Sequence, residues 1–450
     1  MNTETSEEKK FGLFTVIMMI VGVVIGSGIF FKSSTILIAT NGSILLGIAA
    51  FCIAAISIIF GSLTIAQLAA RTDETGGVIS YATNEINSYA GCLIGWYHFF
   101  LLYSTTVGVV GWIATMYVES IFNLDFTVEQ RLIVSLLIIT LFCSINIFAS
   151  KIASLFQTSA AIIKLIPLVL IAILGFTLGD FNNFITSSQA TQATKSLGWI
   201  SAISPIIFAY EGWIVATSLT HKIKNPKKNL PIALILSPLF ILVIYVCYFV
   251  GISLYVGPKQ MMYMGNAHML YAATNLFGVI GGRAVVVAVL ISVLGTLNGN
   301  IMGLIQLPYS LSLRGMFPKS NKISKVSKKF GSPVYSGIIG FVVATVWLFV
   351  NYIDKKYNIL GNSDICEVVT VVNYLLYIML YVKVIQLKKN NEICGIFKGY
   401  IAPIMAIIGS GIMLYGGLQN PMFIYMFIIC LLVILSALLF WRIAKNKVKL

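Results

Sequence analysis

Gly22 to Phe31 reads GVVIGSGIFF and Phe208 to Trp213 reads FAYEGW. Each interrupts an apolar stretch near its centre. In the first, Gly26, Ser27 and Gly28 are poor helix formers inside an otherwise lipid-compatible segment. In the second, Glu211 and Gly212 put a carboxylate and a glycine mid-span. A lipid-exposed peptide group without a partner costs several kcal/mol, so irregular backbone survives at membrane depth only where protein buries it or it lines a watery cavity. A matched pair of breaks, one in each half of a chain, is the best sequence pointer to the binding site of a membrane transporter.

Composition agrees with a membrane setting. The 450 residues are 58% hydrophobic and 10% charged, with a mean hydropathy of +0.93, which excludes an ordinary soluble domain. The formal charge is +15, but the basic residues are dispersed between apolar segments as in cytoplasmic loops, so no nucleic-acid partner is expected. Lys9 and Lys10 precede an apolar segment too long for a signal-peptide core, so the first helix is expected to remain in the mature protein. The seven cysteines lie mostly inside apolar runs without a CxxC pair, and His98, His221 and His268 are far apart. No metal or cofactor is therefore expected.

About 20 apolar residues cross a hydrocarbon core, and on that measure the sequence predicts an all-α polytopic membrane protein with twelve transmembrane helices. The expected spans are 12–40, 43–70, 80–118, 130–149, 153–178, 197–220, 230–256, 278–313, 333–353, 364–387, 398–417 and 421–442. With both termini inside, 22 lysines and arginines fall at inner ends and seven outside, Lys32 among the seven, which supports cytoplasmic termini. Segments one to five and six to ten then have opposite topologies. The expected organisation is one transporter domain, with a first inverted repeat over 11–178, a second over 196–388 and two peripheral helices over 397–443. Helices 1 and 6 are the broken ones.

The chemistry should sit at the breaks. A half-helix beginning at Ser27 and Gly28 presents unpaired N–H groups and the positive end of its dipole to a carboxylate. A half-helix ending near Phe208 and Ala209 presents carbonyls to an ammonium. Together they describe the backbone end of an amino acid. The competing reading is that Gly26-x-Gly28 only lets helices pack closely. Lys164 lies deep in segment five, where a charged lysine costs about 2.5 to 3.5 kcal/mol on insertion scales and so should face a cavity or partner. Two roles are open to it: loss of a proton, or permanent charge with the ammonium on carbonyls freed in segment one. Glu211 has three: a helix-end partner, a contact for the substrate ammonium, or a proton carrier. Tyr210, Trp213, Tyr103 and Asn298 are candidates for a gate or pocket wall, with Phe208, His98, Asn300 and Glu367 as further cavity candidates.

At these residues the chain resembles the amino acid, polyamine and organocation transporters, and most of all their bacterial L-amino-acid branch, which includes serine/threonine exchangers. The resemblance runs over nearly the whole chain: GVVIGSGIFF at 22–31, TGGVISY at 75–81, QTSAAIIKLIP at 157–167, FAYEGW at 208–213, IKNPKKNLP at 223–231, LGTLNG at 294–299 and RGMFP at 314–318. It implies a five-plus-five inverted repeat working by alternating access. It also implies that Ile25, Gly26, Ser27 and Gly28 receive the substrate carboxylate while carbonyls of Val24, Phe208, Ala209 and Glu211 face the ammonium. Lys164 matches a lysine that replaces a sodium site, which implies sodium-independent exchange or proton symport. The chain departs from the pattern at Gln67, His221 and Lys222, where acidic residues are usual, and at Glu211, where aspartate, asparagine or glycine is common. The loop at 119–130 has no cysteine for a disulfide to a heavy subunit.

The expectation is thus a multi-pass carrier of neutral L-amino acids in the cytoplasmic membrane, with the amino acid, protons and membrane lipid as partners. Three alternatives stand beside it. An amine or polyamine carrier of the same fold would use Glu211 to hold a cation. An amino-acid sensor would bind without flux. A membrane-embedded enzyme would need a convergent nucleophile, acid/base or metal set, which the sparse His, Asp and Glu of the spans do not supply.

Overall fold

The computed structural model describes residues 11–72, 76–193, 197–214, 217, 223–361, 364–420 and 423–448, with the backbone alone at Ser27, 188–193 and 444–448. The described residues form helices joined by short turns, with one isolated bridge between Phe11 and Ile223. In chain order, leaving aside shorter pieces and the helix Asn182–Ala193, they are α1 (Leu13–Val24), α2 (Ser27–Ala39), α3 (Ile44–Ala69), α4 (Ser88–Phe122), α5 (Val128–Phe148), α6 (Ser150–Leu178) and α7 (Leu197–Tyr210). Then follow α8 (Pro226–Val256), α9 (His268–Leu313), α10 (Val334–Tyr357), α11 (Ile365–Lys389), α12 (Phe397–Leu418) and α13 (Phe423–Val448).

Among the described residues ten helices are long and apolar enough to cross a bilayer, and α1 with α2, bent by 55° at their junction, passes the same test when taken as one span. The sixth expected segment is described only as the short α7 and the turn after it, because 215–216 and 218–222 lie outside the described residues. His221 and Lys222 are among these. The third expected segment needs a correction at its start. Residues 78–86 form a separate short helical piece, and α4 begins only at Ser88. The reason is Asn87, whose extended backbone stops one helix while its side chain caps the next by accepting from Ala90 N at 2.9 Å.

Lipid and protein faces separate along each helix. Ile133, Leu137 and Leu141 make an exposed apolar stripe at four-residue spacing on α5, as do Leu431, Leu435 and Leu439 on α13. On the inward faces small residues let backbones touch: a Cβ on Gly175 of α6 would lie 2.2 Å from Gly251 O of α8. Turns are equally local. Asn41 and Gly42 adopt positive φ and Ser43 Oγ caps α3 by accepting from Leu46 N.

Candidate substrate-binding site

The first break is a true end of one helix and start of another. Ile25 is extended after α1, Gly26 (φ −149°, ψ −146°) precedes α2, and no side chain caps that N-terminus. The N–H groups of the first turn of α2, from Ser27 and Gly28 onward, have no intrahelical partner, so they and the helix dipole favour an anion there. Close packing accompanies the break rather than replacing it. A Cβ on Gly22 would lie 2.9 Å from Ala161 Cβ, one on Gly26 would lie 1.9 Å from Thr296 Oγ1, and one on Gly28 would lie 2.6 Å from Ala209 Cα. No side chain fits at any of the three without movement of its neighbour.

The second break is built differently. Helix α7 stops at Tyr210, Glu211 is extended (φ −60°, ψ 141°), and Gly212 takes φ +107°, which L side chains rarely adopt. Glu211 N donates to Phe208 O at 3.1 Å. The two breaks face one another across a small cavity of about 20 Å³. Its walls include Val24, Gly26 and Gly28 from the first break, and Phe208, Ala209 and Glu211 from the second. Thr106 of α4 and Thr296 and Asn300 of α9 complete them. Of the cavity candidates, Asn300 does line it, while Thr106 and Thr296 escaped sequence reading because hydroxyl residues inside apolar helices usually bond their own backbone. Both do that as well, Thr106 to Leu102 O and Thr296 to Ser292 O.

Two side chains hold the unwound turns. Lys164 is fully buried at a small interruption of α6, where Pro167 cannot donate to Ile163 O. Its ammonium donates to Gly22 O, a carbonyl near the end of α1 whose i+4 partner would have been Gly26. Tyr245 of α8, which sequence reading passed over, donates its hydroxyl to Ala209 O at 2.8 Å and lies 3.2 Å from Val24 O. Its one proton is thereby shared between carbonyls of both breaks. No local signal marks it: a tyrosine inside an apolar helix looks like packing. Glu211 Oε2 is buried and has no hydrogen-bond partner among the described residues.

Four side chains expected at a gate or pocket wall stand behind the cavity instead. Tyr210 packs on Tyr245 with ring centroids 5.2 Å apart, and Trp213 packs on Tyr377 at 6.0 Å. Tyr103 lies against Gly303 and His98. Asn298 joins a polar knot, accepting from Asn146 Nδ2 at 2.8 Å and donating to Ala153 O and Gln157 Oε1. The physical reason is helical register: on α9 the residues facing the cavity are Thr296 and Asn300, and Asn298 points 200° away from the first of them. His98 likewise pairs with Asn373 at 3.0 Å.

Lys32 is the chief surprise. Read from sequence as a solvated outer charge, it is 1% exposed within α2 and forms ion pairs with Asp364, at 2.6 Å, and with Glu367. The 332 and 335 residues between the partners hide this pairing from any local pattern. Its ammonium also lies 5.0 Å from the Phe31 ring and 5.9 Å from the Phe208 ring. Those rings meet edge-on at 6.2 Å. Phe208 walls the central cavity, and Phe31 walls a second, larger recess of about 450 Å³ toward the end of the bundle away from the termini. At the terminal end Tyr81 Oη donates to Thr217 O at 2.9 Å and Lys224 N donates to Phe11 O at 2.8 Å.

A family model described as amino acid permease matches residues 11–449. The chain is 27% identical over 417 residues to the serine/threonine exchanger of Bacillus subtilis, with 91% of each protein covered. It is 25% identical over 366 residues to the human large neutral amino acids transporter small subunit 2, covering 77% of this chain and 66% of that protein. With the rat b(0,+)-type amino acid transporter 1 it shares 24% over 449 residues, covering 97% and 88%.

Proposed function

The chain belongs to the amino acid permease family, and from that premise we propose that it carries small neutral L-amino acids across the cytoplasmic membrane by alternating access, without sodium, as an exchanger or proton symporter. Its relatives are transporters and exchangers, and the protein is not an enzyme. One observation carries the reading: a single cavity walled by both backbone breaks, with unpaired N–H groups on one side and carbonyls with a carboxylate on the other. The α2 N-terminus takes the substrate carboxylate, and the turn at Phe208, Ala209 and Glu211 takes the ammonium. Main chain recognises what all amino acids share. Selectivity then falls to Thr106, Thr296 and Asn300, whose short polar groups and limited space favour a small side chain such as a hydroxymethyl.

Lys164 replaces a metal cation in this scheme: its ammonium supplies the positive charge at the end of α1 that would otherwise come from sodium. The domain reading is part of the proposal, with 11–178 and 196–388 as inverted repeats, 397–443 peripheral and both termini cytoplasmic. The buried, unpartnered Oε2 of Glu211 favours a second reading, an amine or polyamine carrier in which that oxygen holds a substrate cation.

Purified protein in liposomes separates the readings. Labelled serine, threonine and alanine should enter vesicles preloaded with one of them, equally with and without sodium. Inhibition by putrescine but not by serine or leucine would favour the amine carrier, and amino-acid binding without flux would favour a sensor. Uptake that requires a sodium gradient would sink the role given to Lys164.

A further inference from the structure

The recess beyond Phe31 is more than an open mouth. Asp354, Asp364 and Glu367 share two lysines there: Lys32 is ion-paired with Asp364 and Glu367, and Lys355 donates to Asp364 at 2.9 Å and lies 3.1 Å from Asp354 Oδ2. Counted by formal charge among the described residues, three carboxylates and two ammoniums leave one negative charge over. Arg131, also on the wall, does not make up the difference, because it is paired with Glu119 at 2.9 Å. Lys32 and Asp364 line the recess itself, so the excess negative charge is within reach of a cation entering it.

A second, independent feature points to a ligand. Asn351 of α10 lines the same recess and is 1% exposed, yet neither its Nδ2 nor its Oδ1 has a hydrogen-bond partner among the described residues. A buried amide left unpaired costs about 1 to 3 kcal/mol, and nearly all such groups in proteins are satisfied by something. Asn351 and Asp354 are one helical turn apart, so the orphan amide and the charge cluster share a face of α10.

We propose that this recess is a second amino-acid site, filled before the central cavity and separated from it by the Phe31 and Phe208 rings. The substrate ammonium answers the missing positive charge beside Asp364 and donates to Asn351 Oδ1, and the substrate carboxylate accepts from Asn351 Nδ2. A zwitterion suits the place better than a simple cation, because the Lys32 and Lys355 ammoniums lie alongside the acids. Its carboxylate competes with those acids for Lys32, so filling the recess loosens the ion pairs that fix α2 against α11. This inference rests on the amino-acid carrier reading above.

The test uses full-length protein in lipid nanodiscs and the amino acid that liposome uptake identifies. Wild type is expected to bind two molecules per chain, and Asn351→Leu and Gly28→Val one each, the former keeping the central site and the latter the outer one. In whole cells Asn351→Leu should raise the half-saturating concentration for uptake about five-fold, the loss of one hydrogen bond, with the value in inverted vesicles unchanged. Ile38→Trp, which fills the recess from a wall position without touching the charges, should do the same if Asn351→Leu fails to insert. One molecule per wild-type chain, removed altogether by Gly28→Val, overturns the outer site and leaves the central reading standing. No amino acid bound by wild type overturns both.

Discussion

The two breaks do one job by opposite means. At the first, side chains are removed: Gly22, Gly26 and Gly28 sit so close to Ala161, Thr296 and Ala209 that a methyl group cannot be added. At the second, the turn is made by backbone conformation, with an extended Glu211 followed by a left-handed Gly212. The first is therefore a site of steric precision facing main-chain donors, and the second a site of conformational freedom bearing a charge. What joins them is side-chain hydrogen bonding from elsewhere, Lys164 on the end of α1 and Tyr245 across both.

This contrast can be broken or sharpened by mutation. The largest effect is expected for Gly28→Val, because the added atoms meet Ala209 Cα and not a flexible tip. Binding at the central site should vanish while the protein still inserts, leaving one molecule per chain in nanodiscs, and two molecules bound would remove the α2 N-terminus from the site. Next comes Lys164→Ala. Loss of a charge-assisted hydrogen bond, about 1.5 to 3 kcal/mol, should cut flux by about ten- to a hundred-fold. Lys164→Met, which keeps the length, should not rescue it; wild-type kinetics in either variant would show that the ammonium is dispensable.

Gly212→Ala should cost binding less. The strain of a positive φ at a non-glycine residue is about 1 to 3 kcal/mol, and the Cβ would meet only the Val23 side chain, at 2.6 Å. A thermal-shift assay should register the loss mainly as reduced stability. Equal damage to binding from Gly28→Val and Gly212→Ala would erase the distinction between the breaks. The smallest effect is expected for Tyr245→Phe, which deletes one neutral hydrogen bond shared between Val24 O and Ala209 O. About 0.5 to 1.5 kcal/mol should appear as a two- to ten-fold weaker substrate affinity in equilibrium binding, with insertion unaltered. A null effect would mean the two turns hold without their brace.

Much of this was legible along the chain. Hydropathy located the spans because a bilayer demands about 20 apolar residues of each crossing, and the breaks showed because glycine clusters and a mid-span carboxylate are local violations of that demand. Lys164 was legible for the same reason. Its partner, Gly22 O, was legible only as a class of freed carbonyl. Asn298 was misplaced because an apolar helix buried on several faces gives no periodic signal to say which face meets the cavity, and Lys32 because a count of charges by side says nothing of a partner hundreds of residues away.

By itself the sequence determined an all-helical membrane protein with two interrupted spans, since solvent and backbone propensity act residue by residue. Only the tertiary structure decided that Thr106, Thr296 and Asn300 wall the cavity, that Tyr245 ties the breaks together, and that Lys32 is neutralised by α11. Those facts depend on which helix faces which across hundreds of residues, and helix packing, not local preference, fixes that.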